Sequence, residues 1–547
     1  MILIKGKEVR LKADVLFVNG IIYTMKAEGD IISAFAVKDN RIIAAGTDEE
    51  IKSISVEHVV DLQGRTVIPG LADTHCHIGK AVEKRKKINL ESATSMEDVI
   101  RLLNEGLSKV KQGEWLHGYQ LNFLSLKEKR LPNRWDLDRV SENIPIFVSN
   151  VCGHNFITNT KGLELAGIDR NFNGPEREMI VFGTDGEPTG NLKEHGALKY
   201  LQKKMPPLFC DQVEKINALE DTLLDFSKYG FTTVHAYNGF PPGEFDIPQI
   251  YQKLEKERGL PIRVIFNNEP GKSREYELPK EGWREKIKYG AVKFFADGSF
   301  FGRSAFLSED YSDKKGERGI LIHEEEEFEK LISWEYKSGH DIAIHVIGDE
   351  AMEVVLNIIE KIYDSSRNQQ FQLIHATLTT PKQWDRIAKY PNIVIDTQPI
   401  FLQAMGILGE LRLGKERTEH LLAIKSWMDR GICVTGGSDA PICNHNPFVG
   451  IRHAVLREAQ FDGETINASE GITVYNAVCM YTKNASFCSH EESEKGTLEV
   501  GKYADFAVLD KDIFQIDPRK IDKINVIDTY LGGKRVEKRK EVERWEH

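Results

Sequence analysis

TVIPGLADTHCH (66–77) is an apolar run that closes on two histidines. Read as a strand, its period of two sends His75 and His77 to one face, where both imidazoles can reach one ion. An HxH pair alone is a weak metal signal. Its place at the C-terminal end of a strand, where barrel enzymes keep their active sites, strengthens it.

Seven further strand-like runs follow: FTTVHA (231–236), PIRVIFN (261–267), AVKFFAD (291–297), DIAIHVI (341–347), FQLIH (371–375), NIVIDTQ (392–398) and ICVTGGSD (432–439). Helical patterns separate them. Val213, Ile216, Leu219, Leu223 and Phe226 recur at three- and four-residue steps before Gly230 stops the run, the texture of βα units around a parallel sheet. His235 to Ile265 is 30 residues, Ile265 to Lys293 is 28 and His345 to His375 is 30. A (β/α)8 TIM-like barrel needs roughly 31 per unit. The expected fold is therefore an α/β barrel over residues 66–494. His75 to His235 spans 160 residues, which places an inserted cap subdomain at 90–210 after the first strand. Lys293 to His345 spans 52, which places a long loop after the fourth, and both should shape the substrate pocket.

Both chain ends read as short strands: DVLFVNGIIYTM, IISAFAVKDNRIIAAG and HVVDLQGRTVIPG at the start, YADFAVLD and NVIDTYLGG at the end. Neither set suffices for a core, so residues 1–65 and 495–547 are expected to form one small antiparallel β-sandwich domain. Asn19-Gly20 and Asp39-Asn40 are expected at its turns.

Composition narrows the partner. The chain has 547 residues, 41% of them apolar, and 73 Lys and Arg against 84 Asp and Glu give a net charge of −11. Such a chain has no electrostatic footprint for nucleic acid or an acidic membrane surface, and it contains no apolar run near the roughly 20 residues of a membrane helix. A small-molecule partner is expected, and a homo-oligomer is not forbidden. Seven cysteines without a CxxC pair, and no export signal in the opening residues, point to the cytoplasm. The basic run 84–87 reads as solvated surface, and Glu324–Glu327 as the first turn of a helix.

His345 and His375 end or nearly end strands one unit apart, so a barrel places them on adjacent staves at similar depth. Asp439, at the end of the eighth strand, comes next to the first strand and its HxH pair. Lys293 shares a strand face with Phe295 and Asp297. An inward-facing ammonium is costly to desolvate, so burial favours the neutral amine. Two readings stay open: an ion pair with Asp297, or uptake of CO2 to give a lysine carbamate whose oxygens bridge two metal ions.

THCH, AVKFFADGS, IHVIGDEA, LIHA and GGSDAP, in that order, resemble the amidohydrolase superfamily. The match is specifically to metal-dependent amidohydrolase family 3, the group similar to N-substituted formamide deformylases. LPNRWDLDRVSENIPIFV, GHNFITN, DGEPTGNLKE, TQPIFL and GTLEVGKYADFAVLD extend the resemblance over nearly the whole chain. It implies a binuclear centre: His75 and His77 with Asp439 on one ion, His345 and His375 on the other, carboxylated Lys293 between them. Zinc is the default metal. The implied reaction is hydrolysis of a non-peptide C–N bond by a metal-bridging hydroxide, with Asp439 as base and then acid.

Two positions depart from the family pattern: Cys152 stands where Asp is usual before Gly153-His154, and Ile374 where Glu commonly precedes the sixth-strand histidine. His154 and Arg303 are the candidates for substrate contact, each against a structural hydrogen bond. Rival readings are a mononuclear deaminase, a lactone or phosphoester hydrolase, and a silent scaffold. The first leaves Lys293 without a role, and the last usually loses ligands that are all present here.

Overall fold

Eight parallel strands follow one another round a single sheet in chain order: β1 (Leu71–Cys76), β2 (Phe231–Tyr237), β3 (Arg263–Asn268), β4 (Ile287–Phe295), β5 (Ile342–Val346), β6 (Phe371–His375), β7 (Ile393–Thr397) and β8 (Cys433–Gly436). The computed structural model describes residues 2–4, 7–9 and 12–537, apart from 151–154, 210, 238–244, 272–285 and 460–464. Every residue of β1, β2, β3, β6 and β7 is buried, as parallel strands covered on both faces must be. Beyond β8 the backbone meets β1: Asp439 N–H donates to the His75 carbonyl at 2.7 Å and His77 N–H to that of Ala440 at 2.6 Å, which closes the ring.

The helix expected across Val213–Phe226 runs Gln212–Ser227, and Gly230, at φ +85°, ends the turn that follows it. Glu324 precedes the helix Glu325–Lys337 without a side-chain capping bond, and the acidic first turn Glu325–Glu327 complements the helix dipole.

Thr66–Pro69, read as the opening of the first barrel strand, pairs instead with Phe506–Leu509 in a second sheet. The break falls at Gly70, where a Cβ would lie 2.2 Å from Thr232 Oγ1, so only glycine lets the chain pass between sheets. The end-domain is a sandwich of a four-stranded and a six-stranded sheet, with Thr66–Pro69 and Phe506–Leu509 adjacent in the latter. Phe17, Phe35, Phe506 and Tyr530 pack together in its core, Phe17 and Phe35 with centroids 5.0 Å apart and Phe506 stacked on Tyr530 at 4.5 Å. Burial of each ring stabilises the domain by about 2 kcal/mol.

The sheets are mixed rather than purely antiparallel. Lys12–Val18 pairs parallel with Ser55–Asp61, and Ile21–Tyr23 parallel with Thr66–Pro69. A hairpin and the helix Asp48–Ile51 lie between Lys12–Val18 and Ser55–Asp61, enough chain for a parallel crossover. Asp39-Asn40, both at positive φ, does turn Ala34–Lys38 back onto Arg41–Gly46, whereas Asn19-Gly20 carries the chain from one sheet to the other.

Residues Ala81–Ala218 form a compact unit of their own, against the expected 90–210, and the rest of the chain forms the other. Within this unit a six-stranded mixed sheet separates two apolar cores. One gathers Val99 and Leu103 of the helix Met96–Leu107 with Leu116, Leu137 and Val148; the other gathers Trp115, Phe156, Leu163 and Leu201. Among the described residues no helix is long and apolar enough to cross a membrane.

Candidate metal centre

The strand ends at the C-terminal face of the barrel bring six of the eight expected site residues into one cluster. His75 and His77 each direct Nε2 at Oδ1 of Asp439, at 3.4 and 3.3 Å. Ligand atoms from these three side chains lie within 4.8 Å of one another. Asp439 adopts φ +56°, and the loop that carries it passes so close to β1 that a Cβ on Gly437 would sit 2.7 Å from that of His75. Asp73, fully buried, fixes the same loop by accepting from Ser438 N–H at 2.9 Å and Ser438 Oγ at 2.5 Å.

The rings of His75 and His375 are 5.2 Å apart, and those of His375 and His345 4.7 Å. Their outer hydrogen bonds decide which nitrogen faces inward. His345 Nε2 donates to the Gly298 carbonyl at 2.9 Å, so Nδ1 keeps the lone pair. His375 Nδ1 donates to Gln398 Oε1 at 2.5 Å and His77 Nδ1 to the Tyr237 carbonyl at 3.2 Å, so each keeps its lone pair on Nε2. Burial pushes the basicity of His75 down to about 3 and of His345 to about 4, and holds His375 well below its ordinary value. Neutral imidazoles are the ligand form. Burial pushes the Asp439 carboxyl up, but the adjoining His75 and His77 imidazoles outweigh it and hold it well below its usual range.

Lys293 is 5% exposed and its Nζ has no hydrogen-bond partner among the described residues. The amine lies over the faces of Tyr237 and Phe295, 5.0 and 5.3 Å from their centroids. Burial lowers it to about 7, against the pull of the Asp439 and Asp396 carboxylates. The ion pair with Asp297 is not formed: that carboxylate accepts from three backbone N–H groups instead.

Of the two expected substrate contacts, the described residues include Arg303 alone. Arg303 makes a two-pronged ion pair with Asp313, at 3.1 and 2.7 Å, and Arg412 engages the same carboxylate. His154 lies outside the described residues.

Sequence reading missed Tyr237, Gln398, Asp73 and Asp396. Tyr237 is two residues beyond His235 on β2, so the period of two marks it as inward-facing once that strand is extended by one residue. Gln398 sits in the quoted TQPIFL without a role. Asp396, fully buried on β7, accepts from Thr74 Oγ1 at 2.7 Å, and burial raises it to about 7.

The donor set fits divalent metal: four imidazoles, three of them with a lone pair turned inward, an ionised carboxylate, and a buried amine with no protein partner among the described residues. The profile of the Amidohydrolase family matches residues 58–537. The Bacillus subtilis YtcJ amidohydrolase is 32% identical over 523 residues, covering 94% of this chain and 98% of its own. N-substituted formamide deformylase of Arthrobacter pascens is 25% identical over 537 residues, covering 95% and 97%. An uncharacterized metal-dependent hydrolase from Pyrococcus horikoshii superposes with a TM-score of 0.75 at 24% identity over 92% of this chain and 99% of its own, which shows the shared fold. The chain belongs to the amidohydrolase family.

Proposed function

We propose that this protein hydrolyses a non-peptide C–N bond of a small molecule at a centre of two divalent ions, zinc first among the candidates. The observation that carries the reading is the meeting of Asp439 Oδ1 with His75 and His77 in one cluster with His345, His375 and the unpartnered Lys293 amine. His75, His77 and Asp439 would hold one ion and His345 and His375 the other. The neutral Lys293 amine would add to CO2, with loss of one proton, and its carbamate would span both. Divalent ions supply Lewis acidity, bringing the pKa of water toward neutrality and polarising a carbonyl.

The chain's own groups do the rest. Asp439, ionised and touching two imidazoles, is the group to take a proton from water and return it to the leaving nitrogen. Tyr237 and Phe295 cover the Lys293 amine with aromatic faces and keep it desolvated, which holds it nucleophilic toward CO2. Gln398 and Gly298 hold two of the imidazoles in ligand tautomers.

A turnover screen of metal-reconstituted protein against N-formyl and N-acyl amines, hydantoins and lactones tests the reading. The deformylase relative puts N-formyl amines first. Amide turnover abolished by a chelator supports C–N hydrolysis; turnover of lactones alone replaces it with ester chemistry.

A further inference from the structure

Asp297 is a buried acid beside the centre whose two oxygens are both taken by backbone N–H groups. It is 1% exposed and sits two residues past the end of β4. Its Oδ1 accepts from Ile347 N–H at 2.9 Å, and its Oδ2 accepts from Gly348 N–H at 2.8 Å and Phe306 N–H at 3.0 Å. Those donors belong to two different loops: Phe306 to the one after β4, Ile347 and Gly348 to the one after β5. A single carboxylate therefore ties the two segments that flank His345. Gly298, the residue after Asp297, places its carbonyl 2.9 Å from His345 Nε2, while the Asp297 carboxylate stays 3.8 Å from that nitrogen. The packing leaves little slack. A Cβ on Gly298 would meet Ser304 Oγ at 2.1 Å, and one on Gly348 would meet the Phe306 carbonyl oxygen at 2.0 Å.

We propose that Asp297 is a positioning residue: by holding three backbone N–H groups from two loops it aims the Gly298 carbonyl at His345 Nε2 and so makes Nδ1 the nitrogen that His345 presents to the centre. The other rings whose outer bonds are set, His77 and His375, present Nε2. His345 reaches the centre with the nitrogen nearer its own backbone, and a rotated ring would present the wrong edge. The proposal rests on the reading of His345 as a metal ligand, but its tautomer is a property of the metal-free chain.

Asp297→Asn tests it. An amide has one accepting oxygen for three N–H donors, so one or two backbone donors must face the new NH2, depending on which way the amide sits. Three measurements are made together: thermal stability, the 15N-imidazole NMR signal of His345 in metal-free protein, assigned with His345→Gln, and zinc affinity. The wild type is expected to show His345 protonated on Nε2. The variant is expected to lose that single tautomer and to bind the second equivalent of zinc 10- to 100-fold more weakly, with the first equivalent unchanged. A variant that loses only thermal stability, with the tautomer and both affinities intact, overturns the proposal, because that is what a merely structural clamp would do. If Asp297→Asn does not fold, the wild-type spectrum decides: a His345 protonated on Nδ1 overturns the assignment. A wild type that binds no zinc refutes the proposed function, whereas the change of His345 tautomer between wild type and Asp297→Asn decides the positioning role separately.

Discussion

Lys293→Met should make the metal-free protein more stable while removing its activity. The side chains are close in volume, so the exchange leaves the barrel interior filled. What changes is charge. Burial takes the amine from its ordinary 10.5 to about 7. At about 1.4 kcal/mol per pH unit, that fall corresponds to about 5 kcal/mol of penalty for carrying the ammonium in the folded chain. The folded-state value is depressed, so between the two values the unfolded chain binds the extra proton and stability climbs with pH. The penalty is therefore complete below pH 7, about 3 kcal/mol at pH 8, and gone above about pH 10.5. Urea unfolding of chelator-treated wild type and variant at pH 6, 8 and 10 measures it. The variant should be the more stable at pH 6 by several kcal/mol, with the gap narrowing at each step. A variant that is less stable at pH 6, or a gap that ignores pH, would refute the claim that Lys293 is held uncompensated for function rather than for structure.

Asp439→Asn should leave the far-UV circular dichroism spectrum unchanged, since Asn accepts the φ of +56° at this position, and lower kcat about 10²- to 10⁴-fold; retained turnover would remove the proton-transfer role. Gln398→Ala frees His375 Nδ1 and should weaken metal binding about 10- to 100-fold by competition with a chromogenic chelator, an effect absent if the hydrogen bond does not set the tautomer. Asp505→Ala removes the carboxylate that the buried Arg263 guanidinium bonds at 2.7 and 3.2 Å, and should cost about 3–5 kcal/mol in denaturant unfolding without altering metal content.

The barrel was legible because its strands are apolar runs at near-constant spacing, and the same regularity puts His345 and His375 at matching depth. Lys293 was legible as inward-facing from the alternation in AVKFFAD. Which nitrogen each imidazole offers was not, since it is set by Gly298 and Gln398, 47 and 23 residues away from the rings they bond. Strand direction in the sandwich was equally hidden: a period-two pattern marks a buried face and is silent about whether the neighbour runs parallel. The partner of Arg303 was hidden for a local reason: Asp313, ten residues on, takes its guanidinium, and no spacing rule links two loop positions.

Metal content of protein purified without chelators tests the central claim most directly. Mass-spectrometric metal analysis should find close to two equivalents of divalent transition metal per chain, falling to one or fewer in a His75→Ala/His77→Ala variant that remains folded. Fewer than one equivalent in the wild type, or a content indifferent to those two histidines, would contradict a metal centre built on this cluster.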